Sequence, residues 1–271
     1  MKELTFVTRA DDLGSSESAN RAIELVTKAG FIRNVSVMAC GPAVEKAAER
    51  MAGKKEICFG MHTTLNAEWD LVKWRPVLPV GRETGLVDED GYFLADPSMF
   101  TKTRPQVDIV MREAEAQLER LTKLGFDIRY IDSHMFPEMY IEGLDEAMEE
   151  FIRKKGLVDH MYFYYLPQGL EDLGNAAEQS QEIWAKLQEI PKEQYFLVTH
   201  PSLDTQEMRR TGNKTVSGVD VAKSRAAETA LFSSSDVCGA LCRIGCRGVR
   251  YDEAVLRKRR TVEEMRRLLG K

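Results

Sequence analysis

Two periods run through the chain. Short apolar or β-branched runs at 4–8, 34–38, 57–61, 129–132, 161–165, 195–199 and 248–251 predict seven strands. Between them, apolar residues recur at helical spacing over 16–29, 42–53, 106–124, 144–155, 172–188 and 221–231. The boundary residues agree with this division. Ser16 or Ser18 suits the cap of the first helix and Gly30 its stop, Pro42 opens the second, and Gly125 closes the third. Strand and helix in repeated alternation imply a parallel sheet covered by helices. About seven such units predict an α/β fold of (β/α) barrel-like form, with an open doubly wound sheet as the alternative.

One stretch breaks the rhythm. Residues 63–105 carry Trp69, Trp74, several prolines and the turn Asp88-Glu89-Asp90-Gly91. A long insertion after a strand of such a fold is expected to build the mouth of a binding site. No linker, low-complexity run or internal repeat interrupts the 271 residues, so the expectation is a single domain over 1–271 with that mouth inserted at about 63–105.

Composition narrows the partners. Hydrophobic residues at 43% are enough for a sizeable core. The net charge of -5 argues against nucleic acid and against an anionic membrane surface as partner. No run reaches the roughly 18 apolar residues of a membrane span, and none of leader length follows the opening MKELTFVTRADD. Five cysteines, an odd number, favour a reduced, cytoplasmic protein. Cys238, Cys242 and Cys246 repeat every four residues and would form one stripe on a helix. Small core residues are expected there rather than a metal cluster. The basic run Arg257–Arg260, with Glu263 and Glu264 after it, reads as a solvated, ion-paired helix. A homodimer remains open.

Candidate chemistry lies at the strand ends. Asp11 and Asp12 follow the first strand, His62 ends the third, Asp132-Ser133-His134 end the fourth and His200 ends the sixth. Three of the four histidines thus fall where the strands of an α/β fold converge on a ligand-binding face. His160 precedes its expected strand and reads as an interior histidine. Singly, each residue has a plain structural reading: the aspartates as a turn and helix cap, the histidines as hydrogen-bonded core groups. Jointly, one carboxylate and two imidazoles make a divalent-metal site with open positions. Two adjacent aspartates could divide the work, one binding metal and the other acting as general base.

The motifs at these positions resemble a known family. Ala10-Asp11-Asp12-Leu13-Gly14-Ser15-Ser16, Gly60-Met61-His62-Thr63-Thr64-Leu65, Leu86-Val87-Asp88-Glu89-Asp90-Gly91-Tyr92-Phe93, Asp132-Ser133-His134, His200-Pro201 and Arg225 with Glu228 follow, in order, the pattern of the YdjC-like carbohydrate deacetylases. The resemblance implies a (β/α) barrel that removes acetyl groups from N-acetylated amino sugars such as chitobiose with a divalent metal, Mg or Zn. By position it implies Asp12, His62 and His134 as ligands, Asp11 as general base, His200 as general acid and Arg225 as a partner for a site carboxylate. Phe136 and Glu138 stand where the family often has histidines, and Glu138 joins Arg225, Trp69 and Trp74 as a candidate for holding substrate. For Trp69, Trp74, Tyr92 and Phe93 the alternative is anchoring of the loop. The expected function is metal-dependent N-deacetylation of an amino sugar or short chitooligosaccharide. The alternatives are a barrel hydrolase acting on another amide or ester, and a non-catalytic sugar-binding protein.

Overall fold

The computed structural model describes residues 3–166 and 187–270. Most of the helix expected at 172–188 lies outside these residues. Among the described residues seven strands form one sheet: β1 (Leu4–Leu13), β2 (Asn34–Val37), β3 (Cys58–Thr63), β4 (Ile128–Ser133), β5 (Val158–Asp159), β6 (Gln194–Thr199) and β7 (Cys246–Val249). The order is β5-β4-β3-β2-β1-β6, with β7 paired to β1, and every pairing is parallel. Helices α1 (Glu17–Lys28), α2 (Val44–Met51), α3 (Val107–Lys123), α4 (Leu144–Lys155), α5 (Gly218–Ser233), α6 (Ser235–Arg243) and α7 (Val262–Leu268) accompany it. The sheet curves into a half-barrel, as the strand–helix alternation predicts.

The long strand β1 organises this sheet. Its burial is almost continuous, as befits a strand covered on both faces. β7 pairs with Leu4–Val7 and β2 with Arg9–Leu13, so two strands share one edge of β1. A single buried amide joins all three. Asn34 Nδ2 donates to Thr8 O at 2.7 Å and Val249 O at 2.9 Å, while Asn34 Oδ1 accepts from Tyr251 N at 2.8 Å. Gly248 is required at this junction, because a Cβ there would stand 1.9 Å from Phe31 O. At the other end of the sheet, Phe196 N of β6 donates to Tyr165 O at 2.8 Å, bringing the chain beyond β5 round to β6.

Local chemistry accounts for the helix positions. Ser16 caps α1 by accepting from Ala19 N at 3.0 Å, and Ala19, Ala22, Ile23 and Val26 form its buried face. The 63–105 insertion is built into the core by Trp74, Leu86, Val87, Phe93, Leu94 and Phe100. Helix α3 grips it through two buried side chains. Glu113 accepts from Val77 N and Leu78 N, each at 2.9 Å, and Gln117 both accepts from Thr64 N and donates to Thr64 O.

Four sequence expectations need correction. The fifth strand is Val158–Asp159, not 161–165. Asp159 accepts from Met161 N at 2.8 Å and starts a 3-10 turn, His160–Tyr162, so the apolar run fills the core without being a strand. Consequently His160 follows its strand instead of preceding it. The cysteine stripe does not form: α6 ends at Arg243, Cys242 is exposed, and Cys246 sits in β7. Finally, Arg257–Arg260 is not helical but precedes α7, and Arg259 is enclosed by Asp145 and Asp159.

Candidate metal centre

The site begins with an irregularity in β1. Its register against β2 shifts between Ala10 and Leu13, and Asp12 takes φ +69. A left-handed conformation is tolerated by aspartate better than by most residues, and a bulge re-aims side chains at a strand end. Here it sends two adjacent carboxylates to different partners. Asp11 accepts from Arg9 Nε at 2.6 Å and Nη2 at 2.7 Å; Asp12 Oδ2 accepts from Arg225 Nη1 at 2.8 Å.

Strand register supplies the next pair. His62 of β3 lies opposite Asp132 of β4, and their side chains meet with Nδ1 2.7 Å from Oδ2. His134, just past β4, has Nε2 2.9 Å from Glu68 Oε2. Each carboxylate can hold a proton on the ring nitrogen it faces, which leaves the other free to face the centre. Those free nitrogens converge: His62 Nε2 and His134 Nδ1 are 3.1 Å apart, and Asp12 Oδ1 is 3.7 Å from each. Asp12 Oδ1 is buried and has no hydrogen-bond partner among the described residues. Donor atoms this close need a positive charge between them, which a proton on His62 or a bound metal ion would supply. The donor set of one carboxylate and two imidazoles fits a divalent metal, and Asp132 and Glu68 are its orienting partners.

The surrounding charges fit the same picture. Burial works against ionisation of Asp12, but Arg225, His134, His200 and His62 outweigh it and hold the carboxyl well below its ordinary range. Burial likewise opposes charge on His62, yet Asp132 and Asp11 raise it to about 9. Arg9 also reaches Asp132 at 3.1 Å, so one guanidinium ties Asp11 to the partner of His62. His200 follows β6, half-buried, with its backbone N–H donated to Glu228 of α5. The same helix carries Arg225, whose guanidinium stands 5.9 Å from the Trp69 ring.

The structure therefore brings Asp11, Asp12, His62, His134, His200 and Arg225 to one end of the sheet. Trp69 joins them half-buried beside Arg225. Trp74 is only 4% exposed, donates from Nε1 to Asn66 O at 2.6 Å and backs the His134 ring, so the anchoring alternative describes it. Glu138 makes no direct contact with the three converging donors among the described residues: its carboxyl is buried and accepts from the Ser133 hydroxyl. An open groove of about 560 Å3 is lined by Ser15 and Ser16, which follow Asp12 in the chain, by Asp70 and Tyr92 of the insertion, and by Glu207 and Arg210. The sequence reading gave no role to Glu68 or Asp132. Asp132 had a signal in its strand-end position; Glu68, inside an irregular loop, had none beyond its nearness to Trp69.

Fold and cluster together define an α/β half-barrel with a candidate metal-hydrolase centre at the carboxyl ends of its strands. The model of the YdjC-like protein family matches residues 6–243, and the chain belongs to that family. It is 29% identical over 149 residues to a carbohydrate deacetylase of Thermoanaerobacter pseudethanolicus, covering 53% of this chain and 55% of that protein. It is 26% identical over 177 residues to a carbohydrate deacetylase of Vibrio cholerae, covering 65% of this chain and 62% of that one. The chain thus spans between half and two thirds of the length of these curated relatives. A solved structure from Enterococcus faecalis V583, described provisionally as a cellobiose-phosphate cleavage protein, superposes with a TM-score of 0.73 at 20% identity. It covers 93% of this chain and 98% of its own, and shares the fold.

Proposed function

We propose that this protein hydrolyses the N-acetyl group of an amino sugar or short chitooligosaccharide with the help of one divalent metal ion. The observation that carries the reading is the convergence of Asp12 Oδ1, His62 Nε2 and His134 Nδ1 in a buried site. Two imidazoles and one carboxylate suit zinc better than magnesium, which prefers an all-oxygen octahedron. When bound, such an ion polarises the acyl carbonyl and acidifies water.

The protein groups divide the remaining work. Asp11, fixed through both oxygens by Arg9, keeps free lone pairs and takes the proton of the attacking water. The water oxygen bonds to the acyl carbon, the C–N bond breaks, and His200 protonates the leaving amine. Arg225 holds Asp12 in its buried position. The half-buried Trp69 and the polar groove offer a surface for a sugar ring and its hydroxyls. The names of the relatives support a carbohydrate as substrate. The odd cysteine count favours work in the cytoplasm.

The test is release of acetate and free amine from N-acetylglucosamine and chitobiose by protein stripped of metal and then given zinc or magnesium. Equal amounts of both products, only after metal is restored, are expected. Metal-loaded protein that releases neither from any N-acetylated saccharide would overturn the reading.

A further inference from the structure

A small cavity of about 20 Å3 lies between β4, the turn that follows it and β5, lined among others by Asp132, Glu138, Asp159, His160 and Arg259. Space of this size suits one water, which needs roughly 10–15 Å3 and two to four polar partners. Eight buried side-chain polar atoms lack a hydrogen-bond partner among the described residues. Three of them belong to residues lining this cavity: Asp132 Oδ1, Glu138 Oε2 and His160 Nδ1. Each belongs to a group otherwise engaged. Asp132 Oδ2 faces His62 and Arg9, Glu138 Oε1 accepts from Ser133, and the His160 ring stacks on Phe136. Buried polar atoms rarely stay unpaired, so three orphans around one water-sized space call for a common partner.

We propose that this cavity binds one ordered water that joins Asp132, Glu138 and His160, and that Glu138 is thereby a positioning residue for the Asp132–His62 pair. The hydrogen-bond inventory closes. Asp132 Oδ1 accepts one water proton and neutral His160, through Nδ1, accepts the other. Glu138 in its acid form donates O–H to the water oxygen while Ser133 donates to its other oxygen. The protonation states follow from the surroundings. Burial, with Arg9 nearby, takes His160 down to about 4, and burial pushes Glu138 up to about 7. Asp132 fixes the ring of a metal-binding histidine, and partners at this remove govern how tightly a metal is held. The water holds Asp132 from the side that His62 and Arg9 leave free.

The water site stands on the cavity and its three unpartnered atoms, with the protonation states in support; its effect on metal retention rests on the assignment of His62 as a ligand. The experiment is a crystal structure of the wild-type protein at a resolution that shows ordered water, with zinc affinity measured for wild type, Glu138→Gln, Glu138→Leu and His62→Ala below pH 7. We expect a water bonded to all three atoms in wild type. Glu138→Gln, whose amide also donates, should retain both the water and near wild-type affinity, and Glu138→Leu should lose the water and bind zinc about 10–100-fold more weakly. A wild-type cavity without that water overturns the inference, and this arm stands even if Glu138→Leu fails to fold. Equal zinc affinity in wild type and Glu138→Leu overturns the positioning role. In that case loss of zinc by His62→Ala leaves the metal assignment intact, whereas retention of zinc by His62→Ala removes the assignment itself.

Discussion

Two dense charge clusters lie at neighbouring strand ends, and they are built in opposite ways. Around Arg259, every nitrogen of the guanidinium has a carboxylate: Nε meets Asp159 at 2.7 Å, and Nη1 and Nη2 meet Asp145 at 3.1 and 2.6 Å. Hydrogen bonding there is matched nitrogen for nitrogen, and the cluster pins the segment before α7 against α4 and β5. Around Asp12 the matching stops short. Arg225, Asp132 and Glu68 satisfy the outer atoms and leave one oxygen and two nitrogens facing one another. The lesson is that burial and charge density do not mark a functional site. A set of donor atoms aimed at a common point does.

The sharpest way to break this contrast is to remove a ligand. His62→Ala or His134→Ala should abolish tight retention of about one divalent ion per chain, and Asp12→Asn should weaken it, since an amide is a poorer ligand. Metal analysis after gel filtration decides it; full occupancy in both histidine variants would place the site elsewhere. Next in size is Asp11→Asn, expected to keep the metal and lower kcat by about 10²–10⁴, the range for loss of a general base. Near wild-type kcat would remove Asp11 from the mechanism, and metal loss in Asp11→Asn but not in Asp12→Asn would exchange their roles.

Arg259→Ala tests the other cluster. It leaves the buried Asp159 and the half-buried Asp145 without their cation and should cost about 3 kcal/mol, on the order of 10 °C in Tm, while metal content per folded chain is unchanged. If metal retention fell instead with Tm intact, the two clusters would not be separate in purpose. The smallest effect concerns the tryptophans. Trp69→Ala should raise KM roughly 2- to 10-fold, the worth of one aromatic contact, with little change in Tm. Trp74→Ala should chiefly lower Tm, because the indole is a buried anchor with its N–H satisfied. Kinetics and thermal melts on the pair check both, and a reversal between them would exchange wall and anchor.

Much of this was legible in the chain itself. Hydrophobic period separated strands from helices, caps and glycines marked the ends, and α4 was delimited to the residue at 144–155. Strand-end position, a local property, was enough to single out Asp11, Asp12, His62, His134 and His200. What failed locally failed for a reason. The aromatic run after Asp159 has strand composition, but a side-chain cap on Met161 N turns it, moving His160 to the far side of its strand. The basic run has helical charge spacing, yet Arg259 is drawn out of any helix by carboxylates more than 90 residues earlier. Residue types and their order thus determined the sheet, its parallel sense and the inventory of candidate ligands, because these depend on backbone preference and periodicity. Only the tertiary structure decided which atoms face which: that Glu68 from an irregular loop orients His134, that Arg9 joins Asp11 to Asp132, that the Glu138 carboxyl is buried against Ser133. Those are contacts between distant segments, set by register, by the bulge at Asp12 and by packing, and no local pattern encodes them.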